Sequence, residues 1–197
     1  MTKLILASGS PRRADLLRQL GLSFSVVVPS VDEMPRRNEN SLKYVERMAK
    51  DKNAEIRKRL ASVDLVLSAD TVVVYQSRIL GKPKSKTEGL SMLRLLSERT
   101  HKVITGVALT TKTQKKFCFV ETKVKFRRLS DNEIQAYWMT KEPKDKAGSY
   151  GIQGLGALFV SRIEGSYSNV VGLPLMETGE LLKQLGFDCL GQKRGVV

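Results

Sequence analysis

The chain has 197 residues, a length that suits one α/β domain or two small lobes around a shared core. A composition of 41% hydrophobic and 27% charged residues is typical of a globular protein and excludes a disordered tail. The formal charge of +14 favours binding to phosphates or polyanions, nucleic acid included, although basic residues scattered over a solvated surface would give the same total.

Histidine and cysteine usage removes several kinds of chemistry. His101 is the single histidine, which excludes Ser-His-Asp triads, Cys-His pairs and histidine-based metal sites. Cys118 and Cys189 lie far apart in the sequence, which disfavours a disulfide framework or a zinc site and fits a reducing cytoplasm. The apolar run within residues 1–10 is too short for a signal peptide or a membrane anchor. Any chemistry should therefore use carboxylates, lysines, arginines and a hard metal.

Apolar periodicity, capping residues and turn residues predict the secondary structure in chain order. The predicted elements are a strand at 4–6, a helix at 11–20, a strand at 24–28, a helix at 41–60, strands at 64–75 and 78–80, a helix from 85, strands at 102–111 and 117–128, a helix from 130, a strand at 158–163 and a helix at 174–185. Capping boxes at Ser85–Glu88 and Ser130–Glu133 open two of the helices.

This order mixes βα units with a β-hairpin, so we expect an α/β fold in which helices flank a mixed, twisted sheet. The strand at 78–80 should pair back with the strand before it, and the strands at 102–111 and 117–128 should be antiparallel. Neither a repeat nor a linker interrupts residues 1–197, which predicts a single domain. Residues 191–197 should fray at its end.

Four segments break local preferences, and the first is the predicted loop and helix start at 8–13. Ser10 should cap the helix and Pro11 should open it, which places Arg12 and Arg13 in the first turn. Cations there oppose the helix dipole, which favours anions at this end. With backbone amides, hydroxyls and a glycine, the segment suits a phosphate group. A plain helix cap with exposed arginines is the alternative.

Two further segments place charges in apolar surroundings. Asp70 interrupts the apolar run at 66–74, where a carboxylate is costly unless it is paired, binds a metal or lies at an exposed edge. Lys52 falls on the apolar stripe of the long predicted helix, so it either extends outward to solvent or meets an anion in a cleft. Asp32 and Glu33, in the loop after the second strand, could add oxygen ligands.

The fourth segment is a glycine-rich stretch. Residues 147–156 contain four glycines, which would let the backbone approach a ligand closely, and a flexible surface loop is the alternative. Lys82, just after a predicted strand, has the same two interpretations as Lys52. The sequence contains neither the dinucleotide-binding fingerprint nor a Walker A motif.

Taken together, these segments closely resemble the Maf family of nucleotide pyrophosphatases. The matching stretches are Leu6–Arg13, Val31–Glu33, Ser68–Thr71, Gly81–Pro83, Lys146–Gly156 and Val170–Leu175. They follow the family's order from residue 4 to about residue 185. The resemblance implies a two-lobed α/β fold with a long curved sheet and a cleft between the lobes, similar to the inosine triphosphate pyrophosphatases. It also implies a homodimer that uses Mg²⁺ or Mn²⁺.

The resemblance also implies roles for individual residues. Asp70 matches the proton acceptor that activates water, and Glu33 matches a metal ligand or catalytic partner, so both are expected to bind the metal. The positions that match triphosphate-binding residues are Ser8, Arg13, Lys52 and Lys82. Phosphoryl chemistry needs a positioned water, a hard cation and positive groups, which this set supplies without histidine. Attack at the α phosphate would release pyrophosphate and leave a monophosphate.

The expected substrates follow from three positions. Family members that act on 7-methylguanine nucleotides carry tryptophan in place of Arg12, glutamine in place of Thr71 and glutamate in place of Gln153. An aromatic face and a carboxylate suit a cationic purine, whereas the neutral amide of Gln153 can both donate to and accept from a uracil or thymine edge. The resemblance therefore places the chain in the dTTP/UTP branch, with modified uridine triphosphates as further candidate substrates.

Two other classes of function compete with this interpretation. The family has been linked to arrest of septum formation and cell division, which suggests a non-catalytic regulator that binds a partner protein. Such a role would survive Asp70→Asn, whereas hydrolysis would not. A nucleic-acid-binding module is the weaker rival, because the basic residues are scattered and only 6% of residues are aromatic.

Overall fold

The computed structural model describes residues 3–60 and 62–190. The strands are β1 (Leu4–Ala7), β2 (Phe24–Val27), β3 (Leu65–Tyr75), β4 (Arg78–Leu80), β5 (Thr100–Thr110), β6 (Lys115–Phe126) and β7 (Val160–Glu164). The α-helices are α1 (Pro11–Gln19), α2 (Ser41–Arg59), α3 (Lys86–Leu96), α4 (Asp131–Met139), α5 (Tyr167–Val171) and α6 (Leu175–Gln184). Short 3₁₀ helices cover Glu142–Asp145, Ala147–Ser149 and Leu155–Phe159. The fraying expected at 191–197 falls outside the described residues.

The seven strands form one mixed sheet. Six of them are ordered β2-β1-β3-β5-β6-β7, and β4 pairs with β3. β1 is parallel to both β2 and β3, and α1 and α2 supply the crossover connections that parallel neighbours require. β4 is antiparallel to β3, and β7 is antiparallel to β6. The predicted α/β class, a mixed sheet flanked by helices, is confirmed.

The chain divides into two compact units, each with its own apolar cluster. The first unit contains Met1–Asp70, Thr105–Val120 and Gly172–Val197, and the second contains Thr71–Ile104 and Glu121–Val171. One cluster of the first unit contains Ile5, Ala7, Ile56, Val63 and Val66. A cluster of the second unit contains Phe126 together with Leu93, Leu96, Val103, Val124, Ile134, Tyr137, Tyr150 and Phe159.

The elements of the first unit follow from their burial patterns. β1 and most of β3 are buried without alternation, as expected for strands covered on both faces. α2 buries residues at helical spacing that include Val45, Met48, Lys52 and Ile56, so Lys52 lies on the face that packs inward, whereas Leu42, at the start of the predicted stripe, is exposed. The helix begins after Asn40, whose side chain accepts a hydrogen bond from the Lys43 backbone N–H.

Some local predictions need correction. The predicted capping box at Ser85–Glu88 is half formed, because the Glu88 carboxylate accepts from the Lys84 N–H and not from the Ser85 N–H. The box at Ser130–Glu133 is complete. β7 begins two residues later than predicted, since Leu155–Phe159 forms 3₁₀ turns. α5 has no counterpart among the predicted elements. No helix in the described part of the chain is long and apolar enough to cross a membrane.

Candidate active site

Three charged side chains of the first unit meet at one ammonium group. Nζ of Lys52 lies 2.6 Å from Oδ1 of Asp70 and 2.7 Å from Oε1 of Glu33. Lys52 and Asp70 are each only 7% exposed, whereas the Glu33 side chain is 51% exposed. A single cation therefore joins a buried carboxylate to one that solvent can reach.

The elements that carry Lys52 and Asp70 explain why both charges are tolerated. Lys52 lies on the buried stripe of α2, and Asp70 lies in the buried run of β3. An unpaired charge in such a place would cost several kcal/mol. Of the interpretations left open by the sequence, the structure selects the lysine that meets anions and the aspartate that is paired.

The helix α2 also holds the loop that carries Glu33. The Tyr44 hydroxyl donates to the Glu33 carbonyl oxygen at 2.8 Å, and Nη2 of Arg47 donates to the Met34 carbonyl oxygen at 3.0 Å. Arg47 donates to both carboxylate oxygens of Glu39, at 2.6 and 2.7 Å, and this hydrogen bonding lowers the pKa of Glu39 to about 2. The loop is thus tied to α2 both through its backbone and through a charged pair.

The sequence analysis missed this network of Tyr44, Arg47 and Glu39. An arginine eight residues after a glutamate, across the boundary of a loop and a helix, is too ordinary a pattern to stand out. Asp32 lies in the same loop, directly before Glu33. Its carboxylate accepts a hydrogen bond from the Met34 N–H and so shapes the loop locally.

The loop after β1 brings Ser8 and Arg13 together. The buried Ser8 hydroxyl accepts from the Ser10 backbone N–H and from Nη1 of Arg13, both at 3.2 Å. Nε of Arg13 donates to the Gly172 carbonyl oxygen at 2.8 Å. Burial lowers the pKa of the Arg13 guanidinium, and the negative charge of Asp70 opposes that shift. Arg13 therefore lies within electrostatic reach of the carboxylate cluster.

The start of α1 departs from a plain helix cap. Ser10 occupies the N-cap position and Pro11 the first helical position, as predicted, but the Ser10 side chain makes no capping hydrogen bond. Arg12 and Arg13 are both half-buried, in contrast to the alternative of exposed arginines. The two arginines in the first turn of α1 are therefore partly packed within the first unit and partly open to solvent.

The remaining predicted site residues lie in the second unit. Thr71 follows Asp70 in β3 and is partly exposed, and Lys82 and Gln153 are exposed residues of two loops. These loops are joined, because the Gly148 N–H donates to the Gly81 carbonyl oxygen at 3.1 Å. The structure thus groups Lys82 and Gln153 on neighbouring segments of one unit, and it groups Ser8, Arg13, Glu33, Lys52 and Asp70 in the other.

The glycine-rich stretch is a packed segment and not a loose surface loop. Gly148, Ser149, Tyr150, Gly151 and Ile152 are buried. Gly148 has φ 66°, and a Cβ there would lie 2.9 Å from the Val73 side chain. A residue with a side chain would meet both backbone strain and a steric clash at this point.

Residues 3–185 match the family described as Maf-like protein. The chain belongs to the Maf family. It is 50% identical to a dTTP/UTP pyrophosphatase of Vibrio cholerae over 92% of this chain and 97% of that protein. It is 51% identical to a dTTP/UTP pyrophosphatase of Salmonella typhimurium over 98% of both chains.

A solved structure of lower similarity gives less information about this Maf-family chain. The nucleoside-triphosphatase, or dITP/XTP pyrophosphatase, of Mycobacterium abscessus is 16% identical, and the match covers 93% of this chain and 94% of that one. Its TM-score of 0.48 is too low to establish a shared fold. The family membership rests on the sequence matches.

Glu33 and Asp70 are the residues of this Maf-family chain that could hold a divalent metal. In residues 3–60 and 62–190 no three His, Cys, Asp or Glu side chains form a metal-binding group. Mg²⁺, however, commonly takes one or two carboxylates and completes its coordination with substrate phosphates and water. Because the oxygens of Glu33 and Asp70 already converge on one cation, the Lys52 ammonium, the donor set fits a hard ion that is held jointly with a phosphate.

Proposed function

We propose that this chain hydrolyses dTTP and UTP, and also modified uridine triphosphates, to the monophosphate and pyrophosphate. The observation that carries the proposal is the buried Lys52–Asp70 pair with the more exposed Glu33 beside it. The Vibrio cholerae and Salmonella typhimurium relatives are dTTP/UTP pyrophosphatases, which supports both the reaction and the choice of a pyrimidine nucleotide. They favour catalysis over the alternative of a non-catalytic partner-binding regulator.

Asp70 accepts the proton of the attacking water in this proposal. The carboxylate is buried and oriented by Lys52, which gives a general base a fixed position. The water oxygen bonds to the α phosphorus while its proton passes to Asp70. The bond from the α phosphorus to the bridging oxygen then breaks, and pyrophosphate leaves with that bond's electron pair.

Lys52 links the base to the substrate. Its ammonium group has three N–H donors, and the carboxylates of Asp70 and Glu33 receive two of them. The third can be donated to a phosphate oxygen. Ser8, Arg13 and Lys82 supply further donors to the triphosphate, where negative charge is concentrated as the bond to the leaving group breaks.

Glu33 and Asp70 would hold a divalent ion, Mg²⁺ or Mn²⁺, beside the phosphates. Such an ion, when bound, neutralises phosphate charge and helps to align the triphosphate. The protein contributes the two carboxylates, and the tether of the Glu33 backbone to Tyr44 sets where one of them lies. The identity of the ion is an expectation drawn from the family.

Three residues are proposed to select the base. Gln153 is exposed, so its amide can reach a pyrimidine edge, where it both donates and accepts a hydrogen bond. Arg12 and Thr71 match the same dTTP/UTP pattern and are both partly exposed. The homodimer and the cytoplasmic location expected from the sequence remain predictions, as does the weak case for nucleic-acid binding.

The test is a product assay with a charge-removing variant. The purified protein is incubated with Mg²⁺ or Mn²⁺ and a panel of nucleoside triphosphates, and pyrophosphate is resolved from orthophosphate. We expect pyrophosphate with dTMP or UMP, at least about 100-fold less of it with Asp70→Asn, and no such loss with the exposed matched control Asp131→Asn. Orthophosphate as the product, or full activity of Asp70→Asn, would refute the proposal. Faster turnover of 7-methyl-GTP than of dTTP would refute the substrate assignment.

A further inference from the structure

Two side chains outside the site described so far hydrogen-bond to the backbone of the loop that carries Gln153. The Tyr137 hydroxyl donates to Oε1 of Glu142 at 2.7 Å and accepts from the Gly151 N–H at 3.0 Å. We call these two side chains the Tyr137–Glu142 clamp. Gly151 lies two residues before Gln153, so the clamp fixes the backbone on that side of it.

The Glu142 carboxylate fixes the backbone on the other side of Gln153. Its Oε2 accepts from the Leu155 N–H at 2.9 Å, and its Oε1 accepts from the Gly156 N–H at 3.2 Å. Backbone amides on both sides of Gln153 therefore end on one pair of side chains. Gly151 and Gly156 are buried and their amides need such partners, so the loop cannot leave the clamp without losing several hydrogen bonds.

Burial and charge keep the clamp in one protonation state. Burial raises the pKa of the Tyr137 hydroxyl, which stays protonated and can donate. Burial also tends to raise the pKa of Glu142, but hydrogen bonds from Tyr137 and from the Leu155 and Gly156 amides outweigh it and lower that pKa. The Tyr137 ring is itself fixed, edge-on to Phe159 with ring centroids 4.8 Å apart.

The glycines of the loop fit the clamp closely. A Cβ at Gly154 would lie 2.4 Å from Oε2 of Glu142, and a Cβ at Gly156 would lie 2.7 Å from the Tyr137 hydroxyl. The loop backbone therefore approaches the clamp more closely than any residue with a side chain would allow. Gly154 and Gly156 therefore allow the backbone to approach Glu142 and Tyr137, whereas the sequence analysis expected such glycines to allow the approach of a ligand.

We propose that the Tyr137–Glu142 clamp positions Gln153 for reading the pyrimidine base. Gln153 is exposed, and hydrogen bonds hold the backbone on both sides of it. The position from which its side chain extends is therefore fixed. Tyr137 and Glu142 are positioning residues and touch no substrate. This inference rests on the proposed function and deepens it, because it names the groups on which base selection by Gln153 depends.

The experiment compares Tyr137→Phe and Glu142→Gln with the wild type on dTTP and dCTP. We expect a KM for dTTP raised about tenfold and a kcat changed less than about threefold, because the clamp governs binding geometry. The ratio of kcat/KM for dTTP to that for dCTP should fall by about fivefold or more, since one misplaced hydrogen bond costs about 1 kcal/mol. Hydrogen exchange at the Gly151, Leu155 and Gly156 amides should become faster.

Two controls separate positioning from general stability. Glu133→Gln weakens the capping box at the start of α4, the helix that carries Tyr137, and should lower Tm with KM unchanged. In a Gln153→Ala background, Tyr137→Phe should have little further effect on the dTTP/dCTP ratio, because both changes remove the same interaction.

Three results would overturn the inference. If the wild type releases pyrophosphate but Tyr137→Phe and Glu142→Gln keep its KM and its base preference, the clamp does not position Gln153 and the proposed function stands. Additive effects of Tyr137→Phe and Gln153→Ala would show that the clamp acts elsewhere. A wild type that releases no pyrophosphate would overturn the proposed function and, with it, this inference.

Discussion

Replacing Lys52 by methionine is expected to destabilise the first unit strongly. The substitution keeps the volume and the apolar stem of the side chain but removes the ammonium group that lies 2.6 Å from the buried Asp70 carboxylate. Removing one partner of a buried ion pair costs about 3–5 kcal/mol, because the other charge is left in a poorly solvating site. Glu33 adds little to this cost, since its half-exposed carboxylate is solvated by water once the lysine is gone.

Thermal unfolding followed by circular dichroism at pH 7.5 measures this effect. A loss of that size lowers Tm by roughly 10 °C in a chain of this length. Lys50→Met is the matched control, because Lys50 lies on the same helix and pairs with Glu46 at the surface, with side chains 54% and 43% exposed. It should change stability by less than about 1 kcal/mol.

The double variant Lys52→Met/Asp70→Asn tests the assigned cause. Neutralising the carboxylate removes the unpaired charge, so the double variant should be more stable than Lys52→Met alone by about 2 kcal/mol. If Lys52→Met were no worse than Lys50→Met, or if the second change brought no recovery, the buried charge would not be the source of the instability.

Two further predictions concern parts of the second unit. Burial lowers the pKa of His101 to about 4, so between about pH 6.5 and pH 4 the unfolded chain binds the proton that the folded chain rejects, and stability falls as the pH is lowered. Urea unfolding at pH 7 and pH 5 should show a loss of about 2 kcal/mol that is absent in His101→Gln, and an equal loss in the variant would contradict this. Gly148→Ala, at a positive φ, should lower the free energy of unfolding by about 1–3 kcal/mol in the same assay. Gly179→Ala in α6, where a Cβ has open space, should be neutral or stabilising. Equal effects of the two substitutions would show that the backbone at Gly148 is not strained by a side chain.

The candidate site could be predicted from the sequence wherever a residue violates its local surroundings. A carboxylate in the apolar run of β3 and a lysine on the apolar stripe of α2 mark Asp70 and Lys52 without any knowledge of the fold. Burial of an unpaired charge is too costly to be accidental, so each of them implies a partner. Arg13 also stands out, as a cation in the first turn of α1. The resemblance to the Maf family then supplied the expected roles of Glu33, Ser8, Arg13 and Lys82.

Residues that support the site could not be found in this way. Arg47, Glu39, Tyr137 and Glu142 are ordinary residues at ordinary helical or loop positions. Their importance lies in the partners they reach, such as the Met34 carbonyl oxygen for Arg47. Patterns in the sequence report on preferences of nearby residues and say little about such hydrogen bonds.

The sequence by itself therefore determined the order of the strands and of every α-helix except α5, the inward-facing position of Lys52 on α2, and the charges that need partners. Only the tertiary structure decided which partners they meet. Lys52 and Asp70 are 18 residues apart, and Arg13 reaches a carbonyl 159 residues away. Local propensities act over a few residues, whereas these contacts depend on how β1, α2 and β3 pack, and a shift of about 1 Å in that packing is enough to break a hydrogen bond.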